Sequence, residues 1–538
     1  FPLKVYFDFF MIKCYDKWNY HKHTFRGKSY MNTPVITTLC YIEDDGRYLM
    51  IHKNKKENDI NAGKWLGLGG HKKEGETAAR CLMREVKEEA GITLLSLNFR
   101  GIVHFVSPSD EEYMFIYVSD NFDGTPRLEC DEGEIKWIPK SDIETLNLWE
   151  GDKIFLSILE SSNQFFNLTL TYDDKGNLIS SHDKQELYQD KHCISKHSDK
   201  IASCGKRALI VTGRNSAKRN GSLDDVIKAL DEHGITYTVF NEVEENPSVE
   251  TIMKGRDAGV NADADFVIGI GGGSPMDAAK AIALMLKNRG RGIDYLYENG
   301  NPSDALPVVC VPTTCGTGSE ATAVSVLTRR SLGLKGSIPY KIMPEYGFSN
   351  IKYLRATDMQ IIRNTAIDAF SHLVESYINS KATELSRAIA IEGFHKFRYV
   401  KEALLSKYTP NDDTLNNLLT MSTLAGMAIA IDGTGLPHAL SYHLTLEGNI
   451  PHGPAVGYFI PGYLNAAGSL ADLIFDVIKI SDAEDLKELF MRLYHFERID
   501  KDMIMRSIND VAGNQAKLDT APFYAGKHLL KDMADFMC

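Results

Sequence analysis

The sequence reads as an α/β multidomain chain, and three observations carry that reading. Its 538 residues exceed the roughly 250–300 residues that one hydrophobic core can hold. Paired β-branched runs in the first third give way to alternating strand and helix patterns. Beyond about Thr357 the strand signals fade and long amphipathic segments take over.

The elements follow in that order. The chain starts at Phe1, and residues 1–30 are aromatic and basic without helical or strand period, so they read as an unassigned leader. Residues 31–183 form the first domain: Thr33 to Ile51 holds two β-branched runs joined by Asp45-Gly46, a hairpin signal. A polar, turn-rich stretch, TYDDKGNLISSHDKQELYQDKH, places the seam near residue 183. Residues 184–356 run GKRALIVTG, SLDDVIKALDEHG, ITYTVFN, SVETIMKGRDAGV, ADFVIGIGGG. That is a βαβαβ order, hence a parallel sheet covered by helices. Residues 357–538, with DMQIIRNTAIDAFSHLVESYI and DTLNNLLTMSTLAGMAIAI, predict an all-helical domain.

Composition narrows the function classes. Hydrophobic residues at 43% and charged residues at 25% are ordinary globular values, which exclude a disordered or low-complexity scaffold. A net charge of −12 argues against a nucleic-acid polymer as partner, because phosphate binding needs a basic surface. The nine cysteines form no CxxC pair, so neither a zinc knuckle nor a disulfide framework is expected. No apolar run approaches the ~20 residues that span a bilayer. A cytoplasmic protein with reduced thiols is the expectation.

Two constellations carry chemistry. In GHKKEGETAARCLMREVKEEAGI, a helix over Ala78–Ala90 sets Glu85, Glu88 and Glu89 at i, i+3 and i+4, on one face. Three such carboxylates repel one another unless a cation joins them, and hard oxygen ligands at this density suit Mg²⁺ or Mn²⁺ with a substrate phosphate. A solvated acidic face is the bland alternative. Gly70, Glu76, Arg84, Glu85, Glu88, Glu89 and Gly91 together, however, resemble the full signature of the Nudix hydrolases. The resemblance implies an α/β/α sandwich, metal ligation by Glu85, Glu88 and Glu89, Arg84 as orienting partner of a glutamate, and Glu76 bracing the loop. Glu132 and Glu134 are candidates for a further ligand or base. The order CDEGEIKWIP then LNLWEGDKIF is similar to the branch that hydrolyses oxidised purine nucleoside triphosphates such as 8-oxo-dGTP. There Trp149 would stack on the base and Asp152 would read its edge. Trp149 reads equally as a core aromatic.

The second constellation begins at Phe266, where a buried strand passes through Gly271-Gly272-Gly273 and Ser274 into a helix with Pro275 in its first turn. Glycines there let backbone amides approach a pyrophosphate, although a tight turn alone would look the same. Further on, Asp368 and His372 lie one helical turn apart, and His438 and His452 follow. One carboxylate and three imidazoles suit Fe²⁺ or Zn²⁺ with open coordination positions. With PTTCGTGSEAT, these runs resemble the iron-containing alcohol dehydrogenases over about residues 186–538. The resemblance implies an α/β dinucleotide-binding domain, an all-helical metal-binding domain, and oxidoreduction of alcohols and aldehydes or ketones with NAD or NADP. Asp368, His372, His438 and His452 would hold the metal. Gly271, Gly272, Gly273, Ser274 and Asp277 would cradle the cofactor, with Thr313, Thr314, Thr317 and Ser319 lining it. A homodimer through this part is implied as well.

Three departures accompany that resemblance. Tyr442, with His443 beside it, stands where many relatives place a relay histidine. Asn241 replaces an Asp after the second strand, so rejection of NADP is not assured. The usual first strand has been replaced by the tail of the preceding domain. The reading is a bifunctional chain with a small alcohol or aldehyde and a nucleoside triphosphate as substrates. A nucleotide-sensing module that regulates the dehydrogenase, and an accidental fusion with one inactive half, are the alternatives.

Overall fold

The computed structural model describes residues 35–55, 59–161, 165–181, 185–496 and 499–537. The expected leader and the seam near residue 183 lie outside them.

The first domain forms as its sequence pattern dictates. Strands Val35–Asp44 and Arg47–His52 pair antiparallel around a turn at Asp45-Gly46, both at positive φ, 48° and 71°. The expected helix spans Ala78–Ala90. Thr77 Oγ1 accepts the Arg80 amide at 3.1 Å at one end, and Gly91 closes the other in the left-handed region. Its buried face carries Cys81, Leu82 and Val86.

The dinucleotide-type region is a parallel sheet in the order Thr236–Val243, Arg207–Gly213, Phe266–Gly271, Val308–Pro312, Tyr346–Ser349, Glu186–Gln189. Phe266–Gly271 is buried at every position, as a strand covered on both faces must be. From Ile351 to Asp535 every described element is helical.

Helix Asp412–Asp432 is long and apolar enough, with a mean hydropathy of 1.3, to pass the length and composition test for a membrane span. Much of it is buried, and it contacts the helices Met359–Tyr377 and Glu384–Leu404.

The two halves are joined more closely than two separate domains would be. Phe166–Tyr172, the last long strand of the first half, lies antiparallel to Glu186–Gln189 through the pair Tyr188 and Phe166, so the sheets run on as one. Leu82 and Val86 of helix Ala78–Ala90 share an apolar cluster with Ala388, Ile389, Leu424 and Ala428 of the helical region. At the same joint the buried Tyr117 hydroxyl donates to Glu392 Oε1 at 2.7 Å, and Lys72 pairs with Glu384 at 2.8 Å.

Candidate metal centre and cofactor cleft

Helix Met359–Tyr377 presents Asp368 and His372 on one face. His438 lies in the first turn of helix Leu436–Leu446, and His452 opens the short helix His452–Gly457. The structure brings all four together from these three elements. Ligand atoms of Asp368, His372 and His438 lie within 4.8 Å of one another, and His452 Nε2 is 3.9 Å from Asp368 Oδ1. The His372 and His438 rings stack at 4.5 Å, and His438 meets His452 edge-on at 5.3 Å.

The donor set fits a divalent cation. Asp368 Oδ1, His372 Nδ1, His438 Nε2 and His452 Nδ1 are buried without a hydrogen-bond partner among the described residues, a state that costs free energy unless something satisfies it. Burial holds His372 and His452 below the ordinary imidazole pKa, which keeps them neutral. Burial alone would raise the Asp368 pKa, but the surrounding imidazoles outweigh it and keep the group ionised. Burial likewise lowers His438, yet the carboxylates of Glu375 and Asp368 push it up to about 9.

The glycine turn faces this cluster's domain from the sheet. Gly271 has φ +152°, and a Cβ there would come within 2.6 Å of Pro275 Cγ, so the position admits glycine only. A Cβ on Gly273 would strike Thr317 at 2.7 Å, and one on Gly272 would come within 3.2 Å of Thr314 Oγ1. Thr313 donates its amide to Gly271 O at 2.9 Å, and Ser274 Oγ accepts the Asn246 amide at 3.2 Å. Two expected cofactor residues are engaged elsewhere: Asp277 accepts from Ser319 Oγ at 2.6 Å and from the Val326 amide at 2.9 Å. They brace the loop rather than offer free groups. Asn241 lies among the last residues of strand Thr236–Val243, and the acid just beyond the strand, Glu244, is taken by Ser248, Thr251 and Arg330.

His443 does not supply the missing relay, because its two nitrogens are held by Glu447 and Asp510 away from the metal ligands. Sequence reasoning missed Lys335, whose ammonium lies 6.0 Å over the Tyr442 ring. Burial lowers its pKa against the pull of Asp368, Asp277 and Glu245, so its charge is felt both at a metal ligand and at the cofactor loop. No local motif marks it; a strand Lys looks like any other.

The glutamate helix carries a network of ion pairs. Glu85, Glu88 and Glu89 each take a basic partner, which offsets the repulsion between like charges. Arg84 forks onto both oxygens of Glu76, at 2.6 and 2.9 Å, and also reaches Glu85 at 2.5 Å and Glu88 at 3.2 Å. Glu89 accepts the Gly69 amide at 3.0 Å and Lys53 Nζ at 3.5 Å, and Lys53 also binds Glu132. Burial pushes Glu89 up to about 7. Glu134 pairs with Lys136 at 2.6 Å, apart from this network. Lys53, too, was missed, since it enters from another strand end.

Trp149 stands beside a cavity of about 480 Å³ lined also by Ile60, Phe105, Tyr172, Asp173 and Lys175. Its indole N–H donates to Asn61 Oδ1 at 2.8 Å, and Lys64 Nζ sits 4.9 Å over its ring. Asp152 is 4% exposed, outside the cavity wall, with Oδ2 unpartnered.

Comparison with known proteins finds a family for each part of the chain. Residues 184–348 match the family model for iron-containing alcohol dehydrogenase, residues 362–504 its C-terminal model, and residues 32–157 the NUDIX domain. The long-chain primary alcohol dehydrogenase of Thermoanaerobacter ethanolicus is 31% identical over 50% of this chain and 68% of its own length. A crystal structure of an iron-containing alcohol dehydrogenase aligns at 36% identity and TM-score 0.61, covering 66% of this chain and 97% of that one. The chain belongs to the iron-containing alcohol dehydrogenase family. It carries a NUDIX domain ahead of the dehydrogenase part. Sulfoacetaldehyde reductase of Bilophila wadsworthia is 32% identical over 48% of this chain, and the NADPH-dependent butanol dehydrogenase of Clostridium saccharobutylicum 28% over 48%. The chain spans about two thirds of the length of these two relatives, 66% of each.

Proposed function

We propose that the dehydrogenase part interconverts alcohols and aldehydes or ketones with a nicotinamide dinucleotide, in the cytoplasm and as a homodimer. The single observation that carries this is the cluster of Asp368, His372, His438 and His452, each with a buried ligand atom that has no hydrogen-bond partner among the described residues. When bound, Fe²⁺ or Zn²⁺ supplies Lewis acidity toward the alcohol or carbonyl oxygen and the nicotinamide carries the hydride. The chain's own residues supply the rest. Backbone amides of Gly272 to Ser274, at the start of helix Gly273–Lys287, receive the pyrophosphate. Thr314 and Thr317 wall that turn, and Lys335 places a positive charge between the two sites.

The exposed mouth of the cofactor crevice favours NADPH as carrier. Strand order reverses between Arg207–Gly213 and Phe266–Gly271, which locates the dinucleotide crevice. Thr212 lies opposite Ile270, so Gly213, Arg214 and Asn215 emerge at its mouth. Arg214 is exposed there, and a relative is named for NADPH.

The test is oxidation of NADPH and NADH, separately, with butyraldehyde by anaerobically purified, Fe²⁺-supplied protein. Chelator-sensitive turnover, faster with NADPH, is expected; a folded, metal-loaded chain that oxidises neither refutes the reading.

For the NUDIX domain we propose Mg²⁺- or Mn²⁺-dependent hydrolysis of purine nucleoside triphosphates, including oxidised ones such as 8-oxo-dGTP. Glu85, Glu88 and Glu89 would turn from Arg84 and Lys53 to the cation, and the cavity beside Trp149 supports a base-binding role. Release of pyrophosphate from 8-oxo-dGTP, abolished in Glu85→Gln, is the expected outcome. Tight nucleotide binding without hydrolysis would instead favour the sensing reading, which the apolar cluster shared by the two halves makes physically feasible.

A further inference from the structure

Glu375 lies seven residues after Asp368 and three after His372, on the same face of helix Met359–Tyr377. It is 0% exposed, and among the described residues no lysine or arginine pairs with it. A buried carboxylate without a basic partner is costly unless donors satisfy it. Three donors do so here. Oε1 accepts the amide of Gly435 at 3.1 Å and that of His438 at 2.9 Å, and Oε2 is hydrogen-bonded to His438 Nδ1. One carboxylate therefore ties down both the first turn of helix Leu436–Leu446 and the imidazole that this turn carries.

Resting on the metal reading above, we propose that Glu375 is a positioning residue of the metal centre. It fixes His438 in the tautomer with its proton on Nδ1, so that Nε2 presents a lone pair to the cation beside Asp368. The geometry leaves Nε2 for that purpose: it is buried, has no hydrogen-bond partner, and lies 3.7 Å from Asp368 Oδ1. A carboxylate on the far nitrogen also makes the imidazole a more basic ligand, and losing such a partner typically weakens metal binding about 10–100-fold.

Glu375→Gln separates this role from mere packing. A glutamine has one acceptor oxygen. If that oxygen keeps the two backbone amides, its NH₂ must face Nδ1, which reverses the tautomer and puts a proton on the nitrogen that should bind metal. If it keeps Nδ1, the NH₂ group opposes two N–H donors.

The experiment is anaerobic Co²⁺ titration of the metal-free full-length chain against a competing chelator, read by the ligand-field absorption of the bound ion. Parallel titration of Asp368→Asn subtracts binding at the NUDIX glutamates, and thermal unfolding of each metal-free protein reports the fold. Glu375→Gln is expected to bind Co²⁺ about 10–100-fold more weakly, with an altered spectrum and a metal-free melting temperature close to that of the unmodified chain. A folded Glu375→Gln with unchanged Co²⁺ affinity and spectrum overturns the proposal and leaves the metal reading intact. An unmodified chain whose isotherm matches that of Asp368→Asn overturns the metal reading and the proposal together. Should Glu375→Gln not fold, Glu375→Asp decides: its carboxylate, drawn back by one methylene, should give an intermediate affinity, and an affinity equal to that of glutamate overturns the proposal.

Discussion

Two carboxylates are held far from their ordinary ionisation, Glu89 and Asp152, each pushed by burial up to about 7. For Glu89 the sign is definite. Its folded pKa lies above the usual 4.5, so the stability it contributes is complete below that value and is lost as pH rises through about 7. Cation binding needs the carboxylate, so hydrolysis at the glutamate helix should fall as pH drops from about 8 to about 6. Lys53→Met removes the nearest positive charge and should move the midpoint of the pH–rate profile upward; an unmoved midpoint would show that Glu89 does not limit the reaction. At the other site, Asp368→Asn should leave the chain folded with its bound iron lost, as metal analysis of the purified protein would report.

At the scale of single elements, turns and caps decide. Thr77 caps the glutamate helix, and Thr77→Ala should cost about 1 kcal/mol in denaturant unfolding. Gly271→Ala adds a methyl group at φ +152° within 2.6 Å of Pro275, where only a shift of the loop relieves it. Cofactor KM should rise at least about tenfold, equivalent to ~1.4 kcal/mol, while metal content stays constant. These elements were the most legible in the sequence. The helix Ala78–Ala90 stands where its i, i+3, i+4 pattern and Gly91 put it, and the glycine turn follows a fully buried strand as read. The end of strand Thr236–Val243 was less legible, because an exposed edge strand has no burial pattern to mark where it stops: Thr236, Tyr237, Val239, Asn241 and Glu242 are all exposed.

At the scale of the molecule, the two halves form a shared core. Cutting at residue 183 would expose Ala388, Ile389, Leu424 and Ala428 and leave Glu392 without the Tyr117 hydroxyl. Residues 184–538 alone should therefore melt several degrees lower than the full chain and aggregate more readily; equal melting temperatures would show the joint to be energetically empty. Tyr117→Phe tests the polar part alone. It removes a donor from a buried carboxylate, and a loss of about 1–3 kcal/mol is expected. Helix Asp412–Asp432 carries this joint inward. Leu424 and Ala428 face the NUDIX helix, whereas Thr423 donates to Glu320 at 3.0 Å and Gly426 abuts Gly318 of the cofactor loop.

The sequence by itself determined what local periodicity and motif spacing encode: three successive patterns of structure, the glutamate face, the glycine turn, and the four metal-ligand candidates in order. Each depends on residues within a turn or two of one another, or on residue types rare enough to stand out. Tertiary structure alone decided which groups meet. Lys53 beside Glu89, Glu375 behind His438, Lys335 between two sites, and the single sheet through Tyr188 and Phe166 all join residues distant in sequence. No local pattern specifies such pairs, because they form only when burial forces a charged group to find a partner and an open sheet edge to find a strand.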